Sequence, residues 1–555
     1  MEAKKLVSSG EWLKLKDMTW FNILEMTAQK YPDNEAIVFQ NKRVSYKEYL
    51  ERVYETARGL YSIGVRRGDH VALWMTNRLE WLFARFSINK LGAVMVPLNT
   101  RFKAEEIRYV LRDCDARVLI MEDKFLGKID AMRMLEELCP ELHNLKAETY
   151  AVTSEFPLLR AVISLSEHSY NGCFSWEQVI NKGQNVPMSD IESEVYSQDV
   201  AHLIYTSGTT GFPKGALTLY SNSVSMGALF AEFYQILKPG ERILIMTPLF
   251  GNIGLSRYGA ALISGATVVL MERFDPEDAL RTIQQEKINY VAFVPTMLAD
   301  VLGHPNFGQY DLSSLKSIGV GGAKVSAELI LEAKNKLGVQ MGQGYGLVEA
   351  SGLSTVVPPG DTVEHLTQTV GLALPHCEVA ILDPLSGEPL PPGKEGEICT
   401  RETYPGSQFM KGYYKRPDLT AETIKGGWLH SGDLGVVDEE GYLRITGRLK
   451  EMFTVGGFNV SPGEVEQFLT KYPKIKNVAV VGVPDQRLGE VGAAFIELKP
   501  GETSSTEEII GLCKNNLANI KVPRYVFFVN AFPLNPQGKV QKFKLLEQAV
   551  KELGI

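Results

Sequence analysis

The chain has 555 residues, of which 45% are apolar and 22% are charged, and its formal net charge is −8. That length exceeds what one hydrophobic core organises, so we expect two or more domains. The acidic balance, without any basic block, argues against nucleic-acid binding, which depends on basic patches.

The first clear pattern is an alternation of helical and extended segments over residues 44–120. It predicts helices over 45–60, 80–91 and 104–114, and strands over 71–75, 93–97 and 118–121. A capping box, Ser45 with Glu48, begins the first of these helices. The alternation recurs at 243–300, with strands at 243–246, 267–271 and 290–293. Such alternation is typical of a mostly parallel sheet covered by helices.

Three other regions depart from this pattern. Residues 140–195 are less periodic, and we interpret them as a surface excursion. Residues 370–447 carry short extended runs between Gly/Pro turns, which predicts a β-rich subdomain. The tail, 448–555, has its own strands and two helices that begin at capping boxes, Ser461 with Glu464 and Ser505 with Glu508. We therefore predict a large α/β domain and a small α+β domain.

The run 205–215, Tyr-Thr-Ser-Gly-Thr-Thr-Gly-Phe-Pro-Lys-Gly, is rich in glycines and hydroxyls. A predicted strand, 200–205, enters it, and a helix with Ser221 or Asn222 as N-cap follows it. Glycines let the backbone approach a ligand, and hydroxyls and a lysine donate to it, which suits a polyphosphate. Pro213 and Gly215 break the ordinary P-loop pattern. A solvated linker is the alternative interpretation.

Two further motifs carry groups suited to a nucleotide. In the run 342–349, Tyr345 can stack on a base and Glu349 can hold Mg²⁺, although Gly-Tyr-Gly is also a common turn. Near residue 430, Asp433 can accept hydrogen bonds from ribose hydroxyls, and Arg448 can donate to the sugar or to phosphate. The histidines, in contrast, show no zinc-binding spacing.

Together with the runs 319–323 and 533–540, these motifs resemble those of the AMP-forming adenylating enzymes. That superfamily comprises acyl-CoA synthetases, adenylation domains of peptide synthetases and firefly-type luciferases, and the resemblance covers about residues 20–550. It implies an ATP- and acyl-binding domain over 1–447, with 370–447 as its β-rich subdomain. It also implies a mobile domain over 448–555 that turns about a hinge at Lys450 between two half-reactions.

The resemblance implies roles for particular residues. Lys539 is the expected catalytic lysine, and Glu349 and Thr209 are the expected Mg²⁺ ligands. The expected nucleotide contacts are Thr206, Ser207, Gly208, Thr209, Thr210, Gly211, Lys214, Gly322, Ala323, Gln343, Gly344, Tyr345, Gly346, Asp433 and Arg448. Gly456, Gly457 and Phe458 are expected to line the CoA tunnel.

The acyl pocket is expected at Phe250, Gly251, Ile253 and Gly321. Two residues differ from the family pattern, because Gly251 stands where a histidine is usual and Val348 where a threonine is usual. The loss of that threonine hydroxyl removes a hydrogen bond worth about 1 kcal/mol. No aspartate stands where amino-acid-activating domains hold the α-amine. We therefore expect a carboxylic acid with an apolar body, either a medium- or long-chain fatty acid or an aromatic or alicyclic acid.

These features predict a cytoplasmic acid–CoA ligase that uses ATP, Mg²⁺ and coenzyme A, the last as a substrate. Six cysteines without Cys-x-x-Cys spacing indicate reduced thiols, and we see neither a signal peptide nor an apolar run long enough for a transmembrane helix. A homodimer is a possible assembly. The alternatives are a carrier-protein ligase, a luciferase-like enzyme, and a non-catalytic protein that binds a nucleotide or acyl-AMP.

Overall fold

A computed structural model describes residues 6, 8–125, 127, 129–151, 153–206, 213–234, 238–322, 325–456, 458–534 and 540–555. Their contacts divide the chain into two compact units. Unit 1 comprises Met1–Val379 and Thr400–Leu429, and unit 2 comprises Ala380–Cys399 and His430–Ile555. The domain boundary expected near residue 447 stays a prediction.

The helices predicted over 45–60, 80–91 and 104–114 are present, and their ends lie within two residues of the prediction. In chain order, the described helices are α1 (Trp20–Lys30), α2 (Tyr46–Ser62), α3 (Leu79–Lys90), α4 (Ala104–Asp113), α5 (Ala131–Leu138), α6 (Trp176–Gly183), α7 (Tyr220–Tyr234), α8 (Asn252–Ser264), α9 (Pro276–Glu286), α10 (Pro295–Leu302), α11 (Ala327–Leu337), α12 (Val363–Gln368), α13 (Pro417–Thr423), α14 (Pro462–Thr470), α15 (Thr506–Asn516) and α16 (Lys542–Leu553). Across these described helices, we find none with the length and apolar character needed to cross a membrane.

The described strands belong to five sheets. They are β1 (Glu35–Phe39), β2 (Lys42–Ser45), β3 (His70–Trp74), β4 (Val94–Pro97), β5 (Ala116–Met121), β6 (Lys124–Phe125), β7 (Ile129–Asp130), β8 (Ala161–Ser164), β9 (Cys173–Ser175), β10 (Val200–Thr206), β11 (Lys214–Leu219), β12 (Arg242–Ile245), β13 (Thr267–Leu270), β14 (Tyr290–Phe293), β15 (Ser317–Val320), β16 (Gln340–Leu347), β17 (Gly352–Val357), β18 (Leu372–Ala373), β19 (Cys377–Leu382), β20 (Gly396–Glu402), β21 (Gly412–Tyr413), β22 (Ile424–Lys425), β23 (Trp428–Val437), β24 (Leu443–Arg448), β25 (Phe453–Val455), β26 (Phe458–Val460), β27 (Ile475–Asp485), β28 (Gly489–Leu498) and β29 (Tyr525–Phe528).

Unit 1 is built on two large sheets with helices between and outside them. The first has order β18-β17-β16-β15-β14-β12-β13-β1-β2, and the second has order β21-β11-β10-β4-β3-β5-β8-β9. Side chains of β3 alternate between two cores: Leu73 joins the core shared with the first sheet, and Trp74 joins the core under α4 and α5. Both faces of this strand are therefore buried, which explains its continuous apolar sequence.

Unit 2 contains a second kind of sheet, mostly antiparallel, with order β26-β25-β28-β27 and with β29 beside β28. Helices α14 and α15 cover one face, where Leu469 and Ile509 are buried. Helix α16 covers the other face through Leu545 and Ala549. A further sheet has order β19-β20-β23-β22, with β24 beside β23. The prediction of an α/β protein with a small α+β part is confirmed.

Three local predictions need correction. Strand β11 lies between the glycine-rich run and α7, so α7 begins at Tyr220, and Ser221 and Asn222 lie inside it. The predicted surface excursion contains β8 and β9, which extend the second sheet, because its short apolar runs are buried there. Ser461 is the N-cap of α14, but its side chain makes no capping bond. Its hydroxyl donates instead to the carbonyl of Thr446, at 3.4 Å.

Candidate active site

The glycine-rich run is the connection of an antiparallel hairpin. Strand β10 ends at Thr206, which pairs with Lys214 at the start of β11. The Thr206 hydroxyl donates to the Lys214 carbonyl, 3.4 Å away, and this bond ties the two ends of the loop together. The expected phosphate ligands Ser207, Gly208, Thr209, Thr210 and Gly211 lie outside the described residues. Both ends of the loop therefore lie on paired strands, β10 and β11, most of whose residues are buried.

A tyrosine links this hairpin to the predicted metal carboxylate. Strand β21 pairs with β11, so Tyr413 lies opposite Ala216. The ammonium of Lys214 lies 5.4 Å from the centre of the Tyr413 ring. The Tyr413 hydroxyl donates to Oε1 of Glu349 at 2.7 Å. Burial and the negative charge of Glu349 raise the pKa of Tyr413, which therefore stays a protonated donor.

Tyr413 was missing from the sequence-based site. Only the pairing of β21 with β11 brings it between Lys214 and Glu349, and no local motif marks it. A carboxylate is the kind of oxygen ligand that Mg²⁺ prefers, and Glu349 is held through its Oε1 atom. The residues that are described therefore fit a magnesium ion at Glu349, whereas Thr209, the other expected ligand, is outside the described part of the chain.

The Gly-Tyr-Gly motif lies on β16, where it pairs with β17. A Cβ atom added to Gly344 would lie 2.6 Å from the carbonyl oxygen of Thr355, and one added to Gly346 would lie 1.8 Å from that of Gly352. Both glycines are therefore required by the close approach of the strands. Tyr345 between them is buried, with 8% of its surface exposed.

Gln343 and Val348 have specific structural partners at the two ends of this motif. The side-chain amide of Gln343 donates to the carbonyls of Leu366, at 2.6 Å, and Thr369. Val348 packs against a small cluster formed by Ala216, Met410 and Tyr413. Valine in place of threonine therefore adds apolar contact around the tyrosine that holds Glu349.

The expected acyl-pocket residues come from two segments that meet. Gly322 has φ of +86°, and a Cβ atom on it would lie 2.8 Å from Cδ1 of Ile253. Ile253 is in the first turn of α8, for which Gly251 is the N-cap. A Cβ atom on Gly251 would meet nothing nearer than the Pro248 carbonyl oxygen at 3.7 Å, so this wall has room. Phe250 is half-buried beside Gly251.

The structure describes the position of Gly321 but not that of Ala323. The nearest atom to a Cβ atom added at Gly321 is the carbonyl oxygen of Gly344, at 3.9 Å. Strands β15 and β16 therefore bring the acyl-pocket glycine next to the predicted nucleotide motif. Ala323 lies outside the described residues.

A small apolar cavity of about 10 Å³, with room for about one water molecule, lies between α7 and β17. Its lining is formed by Met226, Leu229, Phe230, Phe233, Leu353, Val356 and Leu374. Leu353 also approaches Gly344, with its Cδ2 atom 3.1 Å from the position of an added Cβ atom. The sequence showed the α7 residues only as the apolar face of a helix.

In unit 2, the structure brings Asp433 and Arg448 together. They lie opposite each other on β23 and β24, with Arg448 Nε 3.0 Å from Asp433 Oδ1. Asp433 is buried, whereas the Arg448 side chain is 43% exposed. A buried carboxylate with a charged donor on one oxygen can present its acceptor sites at a fixed position.

The turn before Asp433 is held by side chains that sequence reasoning missed. Glu397 accepts from the backbone N–H of Gly432 at 3.0 Å and pairs with Nδ1 of His430 at 2.7 Å. Cys399 lies 3.4 Å from the same nitrogen. These three ligand-type atoms lie within 4.8 Å of one another, a grouping that could hold a metal and that histidine spacing did not reveal. Because they bond to one another and to the turn, we interpret them as a support for Asp433.

The remaining predicted residues are in the second half of unit 2. Lys450 lies in a 3-10 turn, Leu449–Glu451. Gly456 has φ of +57° in the turn between β25 and β26, and its N–H donates to the Leu488 carbonyl at 2.8 Å. Gly457 and Lys539 are outside the described residues, as is the side chain of Phe458.

Comparison with known proteins accounts for this combination of motifs. The family model described as AMP-binding enzyme matches residues 24–414, and the model of the AMP-binding enzyme C-terminal domain matches residues 464–539. The chain belongs to the AMP-binding enzyme family. The first match includes the hairpin, Glu349 and Tyr413, and the second ends at Lys539. The resemblance inferred from the motifs is thereby confirmed.

Two curated members of the AMP-binding enzyme family are similar over nearly the whole chain. The mitochondrial medium-chain acyl-CoA ligase ACSF2 of Danio rerio is 34% identical over 558 residues, which cover 98% of this chain and 90% of the relative. A methyl-dioxo-octahydroindenyl-propanoyl:CoA ligase of Mycobacterium tuberculosis is 35% identical over 529 residues, which cover 94% of this chain and 97% of the relative.

A solved structure of the family is also similar. It is the anthranilate CoA ligase AuaEII in complex with anthranoyl-AMP, with a TM-score of 0.82 and 28% identity. The match covers 98% of this chain and all of that one, 100%. The family members thus share the fold of this chain and not only its short motifs.

Proposed function

We propose that this protein is an ATP-dependent acid–CoA ligase of the AMP-forming type. In the first half-reaction, a carboxylate oxygen of the acid attacks the α-phosphorus of ATP, the bond to the β-phosphate oxygen breaks, and pyrophosphate leaves with acyl-AMP formed. In the second, the sulfur of CoA attacks the acyl carbonyl, AMP leaves, and the thiol proton passes to solvent. The observation that carries this proposal is the Lys214–Tyr413–Glu349 chain at the base of the phosphate loop.

That chain has a direct mechanistic use. Lys214, at the end of the hairpin loop, supplies positive charge for the β- and γ-phosphates, while Tyr413 fixes the orientation of Glu349. Glu349 would hold Mg²⁺, with Thr209 as a second ligand. The ion, when bound, neutralises phosphate charge and so favours departure of pyrophosphate. Lys539 would add a fixed cation where negative charge develops at the α-phosphate, and such preorganised charge is a large catalytic term.

The expected contacts of the nucleoside follow the family resemblance. Gln343, Gly344, Tyr345 and Gly346 would border the adenine, with Gly322 and Ala323 nearby. Asp433 would accept hydrogen bonds from the ribose hydroxyls. The contact between Asp433 and Arg448, 3.0 Å long, supports this role because it orients the carboxylate.

The acid would have an apolar body. Two features support this: Ile253 against Gly322, and the open space at Gly251. Phe250 and Gly321 would complete the wall near the carboxylate. Burying each CH₂ group of the acid in such a site is worth about 0.8 kcal/mol, so affinity would rise with chain length until the pocket is full.

The second half-reaction would require the tail, 448–555, to turn about Lys450, so that Lys539 leaves and Gly456, Gly457 and Phe458 line the path of CoA. A loop with exposed backbone, such as the turn at Gly456, can adapt to a thiol-bearing ligand more easily than a buried strand. The boundary of this mobile domain, the cytoplasmic location and a homodimer stay predictions from the sequence.

The test is acid-dependent ATP–pyrophosphate exchange with short, medium, long, aromatic and alicyclic acids, followed by thioester formation with CoA. We expect exchange with apolar acids and a thioester with CoA. Exchange without a CoA thioester, but with transfer to a holo carrier protein, would favour a carrier-protein ligase. Light emission from an acyl-AMP would favour a luciferase-like enzyme. Binding of nucleotide without any exchange would identify a non-catalytic binding protein.

A further inference from the structure

The base of the loop that carries Lys539 is described on both sides. Leu534 and Val540 form an antiparallel bridge, and the N–H of Gln541 donates to the carbonyl of Pro533 at 2.8 Å. Helix α16 begins at the next residue, Lys542. The position of this helix start therefore determines where the base of the catalytic loop lies.

Lys542 is an unusual first residue for a helix because its ammonium is largely buried. The side chain is 19% exposed, and Nζ lies 2.5 Å from Oε2 of Glu451 and 2.8 Å from Oε1 of Glu466. Burial by itself would lower the pKa of Lys542, but the two carboxylates outweigh it and the pKa is raised. A lysine placed between two acidic groups in this way is a charged, directional anchor.

The two carboxylates come from different parts of unit 2. Glu451 ends the 3-10 turn that contains Lys450, so it follows the predicted hinge directly. Glu466 is in α14, and the same carboxylate oxygen accepts from the N–H of Val480 in β27 at 2.7 Å. Lys542 therefore connects the exit of the hinge to the body of the small α+β sheet and to the catalytic loop.

Apolar contacts also hold α16 in place. Leu545 and Ala549 are buried, at 1% and 0% exposure, and they hold the helix against the sheet. Apolar contacts determine which face of a helix is buried, but they constrain the sliding and tilting of the helix end less strongly. Two ion pairs at the first residue of the helix fix that end. The anchor is thus suited to positioning the loop rather than to folding the helix.

We propose that Lys542 is a positioning residue that couples the hinge after Lys450 to the loop that carries Lys539. The inference rests on the proposed function, because it assumes that Lys539 acts in acyl-AMP formation and not in thioester formation. When the chain turns at the hinge, Glu451 moves, and Lys542 makes the base of the catalytic loop move with it. Lys542 itself does not contact the reacting atoms.

The test compares Lys542→Met with Lys521→Met. Lys521, in the 3-10 turn Asn519–Lys521, pairs with Glu464 of α14 at 2.8 Å, so the control removes another ion pair to α14 without reaching Glu451. For Lys542→Met we expect pyrophosphate exchange to fall at least tenfold, with thioester formation from supplied acyl-AMP within twofold of wild type. Lys521→Met should leave both rates within twofold.

Two further variants separate positioning from folding. Lys542→Arg keeps a cation that can bridge both carboxylates, and it should restore most of the exchange rate. Glu451→Gln keeps the shape and the Glu466 contact, so it should fold and should reproduce the selective loss of exchange. An equal loss in both half-reactions, or unchanged exchange in both Lys542→Met and Glu451→Gln, would overturn the coupling. Failure of the proposed function would look different, since the wild type itself would then show no exchange with any acid.

Discussion

Different kinds of contact stabilise the predicted phosphate-loop edge of unit 1 and the predicted hinge region of unit 2. In unit 1 the site residues extend from paired strands, and glycines such as Gly346 allow backbones to touch. In unit 2, ion pairs hold the predicted nucleotide residue Asp433 and the base of the Lys539 loop. These pairs join Arg448 to Asp433, and Lys542 to Glu451 and Glu466.

This difference teaches what each region can do. Close-packed strands have few alternative arrangements, so they preserve the geometry of a phosphate site. Charged pairs are directional, and those of unit 2 involve buried or largely buried groups, Asp433 and Lys542, so removing a single partner is costly. We therefore expect the contacts of unit 1 to preserve a fixed site, and those of unit 2 to keep Asp433 and the base of the Lys539 loop in position. Four predictions test or sharpen this contrast, in order of decreasing effect.

The largest effect is expected at the catalytic loop. Lys539→Ala should lower acid-dependent pyrophosphate exchange about 1,000-fold, because a preorganised charge at the reacting phosphate is lost. Thioester formation from supplied acyl-AMP should remain within a few-fold of wild type. Stopped assays of the two half-reactions measure this. An equal loss of rate in both half-reactions would argue against a tail that turns and removes Lys539 before thioester formation.

The second-largest effect is expected at His376, a fully buried histidine of unit 1. Burial lowers the pKa of His376 to about 3 from its usual 6.5. The unfolded chain takes up this proton as pH falls below about 6.5 while the folded chain does not, so stability present at neutral pH is lost on acidification. Between pH 7 and pH 5 this loss is about 2 kcal/mol for one such group. His376→Leu should remove that share of the pH dependence.

The measurement is urea unfolding at pH 7 and pH 5, followed by tryptophan fluorescence. All six tryptophans are in unit 1, so the signal reports on that unit. His143→Leu is the control, because the His143 side chain is 58% exposed in the folded protein. If His376→Leu and His143→Leu show the same difference in unfolding free energy between the two pH values, the buried histidine is not a source of acid sensitivity.

A smaller effect is expected at the link within the phosphate site. Tyr413→Phe removes the hydroxyl that donates to Glu349 and keeps the ring beneath Lys214. Loss of one hydrogen bond to a charged group, about 1.5 kcal/mol, should reduce exchange roughly tenfold, mainly through a higher KM for Mg·ATP. The matched control is Tyr414→Phe, whose hydroxyl donates to Asp115 instead. Similar kinetics in both variants would remove the special role of Tyr413.

The smallest effect is expected in the acyl pocket. Gly251→His places the residue usual in the resembled superfamily at a position with space for it, since an added Cβ atom meets only the Pro248 carbonyl oxygen, at 3.7 Å. Stability should change by less than about 0.5 kcal/mol, as for a substitution without a clash. Preference should shift a few-fold toward shorter acids, measured as relative exchange rates. A shift toward longer acids would contradict the placement of Gly251 in the pocket wall.

The sequence by itself determined the α/β class, many element positions and the family. Its information was local: a continuous apolar run marks β3, apolar residues at helical spacing mark α2, and Ser45 and Ser505 start their helices as their capping patterns predict. It also selected Asp433 and Arg448 as nucleotide contacts, because both positions match one family pattern, whereas their contact with each other appears only in the structure. It misread residues 140–195, since short strands at a sheet edge lack strong periodicity.

Only the tertiary structure decided which distant groups meet. Tyr413 reaches Glu349 because β21 pairs with β11. Lys542 acquires its role only where Glu451 and Glu466 converge on it. Local sequence sets propensity and chemistry, which depend on near neighbours, whereas these contacts join segments far apart in the chain. Their geometry follows from packing, which local sequence patterns do not specify.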